Sequence, residues 1–147
     1  MTPPRQTPDL TELQVVDLMT PEPFTATEDS NLDEVSDLMR THGIRHIPIV
    51  DGAGALVGLV THRDLLGKAF GGGQDLPRSI RQPYLRSIAV RDVMTRNVLA
   101  VTPEQLVTDV ACRMVSHRYG CLPVVRDEQV VGIITASDFV RYIAGCA

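Results

Sequence analysis

Apolar and polar positions along the chain follow an order that occurs twice. In the first pass Leu32, Val35, Leu38 and Met39 fall at helical spacing and predict an amphipathic helix with one stripe facing a core. Two apolar runs follow, Ile47 to Val50 and Leu56 to Val60, on either side of the turn Asp51-Gly52-Ala53-Gly54, and a second helix is predicted from about His62 to Phe70. In the second pass the stripe is Leu106, Val107, Val110, Ala111, Met114 and Val115. The runs are Leu122 to Val125 and Val130 to Ile134 around Arg126-Asp127-Glu128-Gln129, and the closing helix spans about Ala136 to Ala144. Short, β-branched runs on either side of a turn are strands of a hairpin. A short extended piece precedes each first helix, Phe24 to Ala26 and Val98 to Val101. Thr102-Pro103, with Gln105 three residues after the Thr, predicts a helix start with Pro at its first position.

The two passes are copies. Asp17-Leu18-Met19-Thr20 recurs 75 residues later as Asp92-Val93-Met94-Thr95, and Thr27, Val35, Met39, His42, Pro48 and Val50 recur as Thr102, Val110, Met114, His117, Pro123 and Val125. Beyond Val50 the spacing falls to 74, since Gly58, Thr61 and Asp64 match Gly132, Thr135 and Asp138, so the second turn has lost one residue. The order β-α-β-β-α, twice, predicts an α/β (α+β) fold of two pseudo-symmetric halves whose helices pack together, because neither half alone buries both faces of its elements. The predicted organisation is a mobile, proline-bearing segment over 1–12, a first motif over 13–70, a linker over 71–87 that opens with three glycines, and a second motif over 88–147.

Composition narrows the function. The 147 residues are 44% apolar, 22% charged and 4% aromatic with no Trp, which suits an aliphatic core. The formal charge of -4, from 14 basic and 18 acidic residues, disfavours bulk nucleic-acid binding. One basic stretch, Arg78, Arg81, Arg86, Arg91 and Arg96, reads as a solvated connecting face, with collection of an anionic ligand as the alternative. The longest uncharged apolar stretch, Ala53 to Val60, is interrupted by Gly54 and Gly58 and is far shorter than the roughly 18 to 20 residues of a membrane span. No apolar leader follows Met1, so a cytoplasmic protein without disulfides is expected. Cys112 and Cys121 read as small core residues. With neither Cys-x-x-Cys nor His-Glu-x-x-His spacing, no metal site is expected. His42 and His117 fall near predicted helix C-termini, where an imidazolium is favourable.

The hairpins end alike, in Gly58-Leu59-Val60-Thr61-His62-Arg63-Asp64 and Gly132-Ile133-Ile134-Thr135-Ala136-Ser137-Asp138. With Thr at a helix N-cap, the Asp occupies the third helical position, and hydroxyl and carboxylate project from one turn. Two readings are open. Thr with an acid three residues on is a capping pair. The same geometry also suits a nucleoside phosphate, since a carboxylate accepts from both ribose hydroxyls while Thr and free backbone N–H groups suit phosphate.

With Asp17-Leu18-Met19-Thr20, Ile44-Arg45-His46-Ile47-Pro48-Ile49-Val50 and Gly58 to Asp64, and their second copies, the chain resembles the cystathionine-β-synthase (CBS) domain family over about residues 13 to 145. The resemblance implies a Bateman module: two CBS motifs packed through their sheets, commonly dimeric, which binds adenosyl ligands and regulates another function. It further implies clefts that combine the Thr and Asp of one motif with the first strand and Pro strand of the other. One cleft takes Thr135 and Asp138 with Thr25, Ala26, Thr27 and the Ile44 to Pro48 strand, Ile47 and Pro48 included. The other takes Thr61 and Asp64 with Ala100, Val101, Thr102 and the Tyr119 to Pro123 strand, Leu122 and Pro123 included. Ile47 and Leu122 are candidates to hold an adenine face, with ordinary strand core as their other reading. Arg63, where the second motif has Ser137, adds a charge that suits a more highly phosphorylated ligand. Arg45 and His46 are weaker candidates for phosphate contact.

The function expected from the sequence is a regulatory module for adenine nucleotides of the AMP, ADP or ATP class, AMP or ATP foremost, that signals to a separate effector protein. It needs no catalytic cofactor and forms a homodimer. A module with empty clefts that serves interaction or oligomerisation is the alternative. Catalysis is not expected: neither Gly-x-Ser-x-Gly nor a Walker Gly-x-x-x-x-Gly-Lys motif occurs.

Overall fold

A computed structural model describes residues 9–69 and 77–145. The glycine-rich start of the predicted linker, Phe70, Cys146 and most of the predicted N-terminal mobile segment lie outside those residues. The elements run α1 (Val15–Leu18), β1 (Thr20–Pro21), α2 (Leu32–His42), β2 (His46–Val50), β3 (Leu56–Thr61), α3 (His62–Asp64), α4 (Arg78–Arg86), α5 (Val107–His117), β4 (Cys121–Arg126), β5 (Gln129–Thr135) and α6 (Ala136–Ala144). Among the described residues no helix is long and apolar enough to cross a membrane.

The chain forms two compact units that cut across the sequence repeats. One gathers the segment up to Glu22 with Leu99–Arg126 and the chain from Val131 onward; the other gathers Pro23–Val98 with Asp127–Val130. They are called here the second-hairpin and first-hairpin units.

In the first-hairpin unit, α2 starts at a capping box: Asn31 Oδ1 accepts from the Glu34 N–H at 3.1 Å and Glu34 Oε2 from the Asn31 N–H at 3.2 Å. It ends on Gly43, whose φ of 63° is the left-handed conformation that closes many helices. Strands β2 and β3 pair antiparallel with His46 opposite Thr61 and Ile47 opposite Val60. In the turn between them, Asp51 Oδ1 accepts from the Ala53 and Ala55 N–H groups, both at 2.9 Å. The core is Leu32, Val35, Met39, Ile47, Ile49 and Val60, joined by Leu65, Leu85 and Val90. The predicted His62 to Phe70 helix is one turn of α-helix, α3, followed by a π-helical stretch, Leu65–Ala69. Within the predicted linker, residues 78–86 form α4, with Leu85 2% exposed. Three arginines of the basic stretch are held by acids of this unit: Arg86 Nε bonds Asp33 Oδ2 at 3.1 Å, Arg96 Nη1 bonds Glu28 Oε1 at 2.9 Å, and Arg91 pairs with Asp29.

In the second-hairpin unit, β1, β5 and β4 form one sheet in that order, with β1 antiparallel to β5. Val15, Val101, Val110, Met114, Leu122, Val124 and Ile134 make its core. Two expectations are corrected here. Thr102 to Gln105 is a turn, with the Gln105 N–H donating to the Thr102 carbonyl at 3.3 Å, and α5 starts at Val107, which matches Leu32 in the repeat. Cys112 is exposed and not a core residue, because the buried stripe of α5 is Val107, Val110 and Met114 and residue 112 lies off it, whereas Cys121 is buried.

The motif Asp-x-Met-Thr gains its meaning from this exchange. In the second-hairpin unit a Cβ built on Gly132 would lie 2.5 Å from Met19 Sδ and 3.2 Å from the Thr20 carbonyl. In the first-hairpin unit one on Gly58 would lie 2.7 Å from Met94 Sδ and 3.1 Å from the Thr95 carbonyl. Each hairpin glycine therefore makes room for the Met-Thr segment of the other sequence copy, and Leu59 and Thr95 exchange backbone hydrogen bonds at 2.9 and 3.0 Å.

Candidate functional site

The strand-to-helix junctions carry the predicted site residues. In the first-hairpin unit the Thr61 N–H donates to Asp64 Oδ2 at 2.9 Å and the Asp64 N–H to Thr61 Oγ1 at 3.2 Å, a reciprocal capping box. The junction sits against the Pro strand, since the His62 N–H donates to the Arg45 carbonyl at 2.8 Å. Ala26 lies beside that strand as well: its N–H donates to the Pro48 carbonyl at 3.2 Å, and its carbonyl accepts from the Val50 N–H at 2.9 Å. Thr25, Thr27 and Arg63 are exposed, and Pro48 is buried.

The second-hairpin unit repeats the plan. The Thr135 N–H donates to Asp138 Oδ2 at 2.8 Å, and the Ala136 N–H to the Gly120 carbonyl at 3.1 Å. The Val101 N–H donates to the Pro123 carbonyl at 3.0 Å. Ala100 is half-buried, Thr102 exposed and Pro123 buried. Each unit thus brings together the Thr-x-x-Asp, the extended segment and the Pro strand of one sequence copy. Ile47 and Leu122, at 0% and 1% exposure, place their side chains in the two cores, which is the core role left open for them.

The two carboxylates differ in surroundings. Asp138 is 7% exposed, and its four hydrogen-bond distances account for both oxygens: Oδ2 takes the Thr135 N–H and, at 3.3 Å, the Thr135 hydroxyl, while Oδ1 takes the Thr20 hydroxyl at 3.3 Å and Arg141 Nη2 at 3.0 Å. The place of Arg141 in the first copy is held by Gly67. Sequence reasoning missed Thr20 and Arg141, although a basic residue three positions after a helix-start carboxylate was a readable signal.

Near the first junction, His46 is held below its ordinary pKa, chiefly by burial and secondarily by Arg45, with Asp64 pulling the other way. At the matching position of the second copy, burial pushes the Cys121 thiol up to about 12, so it stays protonated. His42 stacks on Phe24 with ring centroids 3.9 Å apart, at the C-terminal end of α2 as its spacing predicted. Among the described residues no three His, Cys, Asp or Glu side chains gather in a way that would hold a metal ion.

Residues 15–71 and 90–145 both match the CBS domain. The chain belongs to the CBS domain family. It is similar to the CBS domain pair of protein MJ0100, solved with 5'-methylthioadenosine and S-adenosyl-L-methionine, at 31% identity and a TM-score of 0.75, over 90% of this chain and 97% of that one. It is similar also to CBSX2, solved with AMP, at 28% identity and a TM-score of 0.73, over 90% and 96%. Among curated proteins it is 32% identical over 132 residues to the L-aspartate semialdehyde sulfurtransferase of Methanocaldococcus jannaschii, which covers 89% of this chain and only 23% of that protein. As a tandem pair of CBS motifs the chain has the α+β architecture of a Bateman module.

Proposed function

We propose that this CBS pair is a regulatory sensor of adenosine-containing ligands, adenine nucleotides foremost, which acts through the Thr-x-x-Asp junctions and signals to a separate partner protein. The observation that carries the reading is the junction itself: it occurs twice, in a fold whose solved relatives hold S-adenosylmethionine, methylthioadenosine or AMP. In this reading Asp64 and Asp138 accept from ribose hydroxyls, and Thr61 and Thr135 face phosphate. The strands at Ile47-Pro48 and Leu122-Pro123 and the segments Thr25 to Thr27 and Ala100 to Thr102 offer backbone groups to the base. Arg63 directs the more highly phosphorylated nucleotide to the Thr61–Asp64 junction. Exposed apolar side chains on α5 and α6, Val115, Val140 and Ile143, give a second copy of the chain a face to cover. Regulation then requires that ligand bind two states of the protein or its dimer with different affinity.

The test is a thermal-shift titration of nucleotide-stripped protein with AMP, ADP, ATP and S-adenosylmethionine. At ligand about a hundredfold above its Kd, binding to the native state adds about 2.7 kcal/mol, a shift of several degrees. Arg63→Ala should weaken ATP more than AMP. No shift with any ligand would turn the reading to a structural or interaction module.

A further inference from the structure

Among the described residues Asp138 is the one buried polar or charged residue. Capping the helix occupies only half of its carboxylate: Oδ2 takes the Thr135 N–H at 2.8 Å and the Thr135 hydroxyl at 3.3 Å. Oδ1 is the oxygen that a ribose could engage without undoing the cap. It already has two donors, the Thr20 hydroxyl at 3.3 Å and Arg141 Nη2 at 3.0 Å. All four residues belong to the second-hairpin unit.

Only one of the two donors on Oδ1 is peculiar to this junction. Thr20 recurs in the first copy as Thr95, within Asp-x-Met-Thr, whereas Arg141 becomes Gly67. The fold therefore builds its first copy with no guanidinium at this place. Arg141 also reaches Asp138 from the solvent side of the pair, since its side chain is 54% exposed and that of Asp138 5%. An exposed guanidinium returns to water at little cost, so the contact adds little to folding. For a ligand the same contact matters more, because a carboxylate oxygen held by a charge-assisted donor is a poorer acceptor for a hydroxyl.

We propose that Arg141 is an internal competitor for ribose at the Thr135–Asp138 junction, so that an adenosine ligand settles there only by displacing its guanidinium. This rests on the nucleotide reading above and adds a control to it: the second junction binds more weakly than its Thr and Asp alone would allow. The experiment titrates AMP into the nucleotide-stripped full chain and its Arg141→Met variant, which keeps an unbranched apolar stem, and follows amide resonances by NMR. Thr135, Ala136 and Ser137 report on the second junction, Thr61 and His62 on the first. Arg141→Met should bind AMP about fivefold more tightly at the second junction, the scale of a partly exposed ion pair, with affinity at the first unchanged. A role confined to helix stability gives no such gain, since losing a partner three residues away only weakens the helix. The gain should persist in an Asp64→Ala background. It should vanish for a dideoxyribose analogue of AMP, which has no ribose hydroxyls to meet Oδ1. Equal or weaker AMP binding in Arg141→Met would overturn the proposal and leave the nucleotide reading standing. A gain shared by the dideoxy analogue, or lost with Asp64→Ala, would overturn it too. If AMP moves no junction amide in either protein, the proposal and the nucleotide reading both fall.

Discussion

Thr61–Asp64 and Thr135–Asp138 share a sequence pattern and a helix start, yet their carboxylates are embedded differently. Asp138 is nearly sealed and receives Thr20 from the neighbouring strand β1 and Arg141 from its own helix, so it fastens β1 to α6 as well as capping the helix. At the first junction, where Asp64 is half-buried, the residue matching Arg141 is Gly67. A carboxylate has about four acceptor positions, so a ribose that approached Asp138 would have to displace Thr20 or Arg141. Two motifs with one consensus therefore set their carboxylates at different depths, Asp138 at 7% exposure and Asp64 half-buried.

The largest expected effect tests that difference directly. Asp138→Ala removes a carboxylate only 7% exposed that holds the Thr135 N–H and the Thr20 hydroxyl, while the exposed Arg141 returns to solvent, and should lower unfolding stability by about 2 kcal/mol. Asp64→Ala removes one arm of a capping box and should lower it by about 1 kcal/mol. Urea denaturation of the two variants side by side reads the difference, and equal losses would break the comparison.

Next in size are the hairpin glycines. A methyl at Gly132 meets Met19 Sδ, which can swing away, and also the Thr20 carbonyl at 3.2 Å, which cannot; Gly58 faces Met94 and the Thr95 carbonyl in the same way. Gly132→Ala and Gly58→Ala should each cost about 1 to 2 kcal/mol, as overpacking does. Because Thr20 is also a ligand of Asp138, only Gly132→Ala should couple to Asp138→Ala in a double-mutant cycle, with a coupling above about 0.5 kcal/mol.

Much of this was legible in the sequence, and the reasons are local. Helices α2 and α6, both hairpins and both capping positions follow from periodicity, β-branched runs and a Thr with an acid three residues on, all signals carried within a few residues. The misses are tertiary or arise where two local signals compete. Thr102-Pro103 has the chemistry of a helix start, but the backbone turns there and the Val107 stripe decides where α5 begins. Cys112 looks apolar by type and lies off the buried stripe of its helix. Repeat spacing displays the kinship of Met19 with Met94, but not that each packs on the glycine of the other copy's hairpin, because no local pattern records an exchange between segments more than 100 residues apart, as Met19 and Gly132 are. Arg78 to Arg96 read as a connecting face, and α4 within it owes its order to Leu85 and the core beneath.

The helix ends offer a smaller and opposite effect. Gly43 closes α2 at φ 63°, and Arg118 closes α5 at φ 57°, a left-handed conformation that disfavours residues with a Cβ. Arg118→Gly should therefore stabilise the protein by up to about 1 kcal/mol, and Gly43→Ala should destabilise it by a similar amount. Thermal unfolding of both variants checks the signs. A destabilised Arg118→Gly would mean that the guanidinium contributes something the first copy does not need.

The smallest expected effect concerns His46 and Cys121, which stand at matching positions of the two Pro strands. Burial disfavours the charged form of both, but only the imidazole has an ordinary pKa within reach of neutral pH. Because the folded-state pKa of His46 lies below its unfolded value of about 6.5, the unfolded chain binds more protons as pH falls through that window. The contribution of His46 to stability is thus complete above about 6.5 and declines as pH drops through the folded pKa. Asp64 opposes the shift from one side and Arg45 reinforces it from the other, so Arg45→Gln should shrink the decline and Asp64→Asn should enlarge it. Urea midpoints measured between about pH 7.5 and 5 for the parent and His46→Gln isolate this group, since the variant should lose less stability across the window. Parallel curves would show that the first junction carries no more pH dependence than the second.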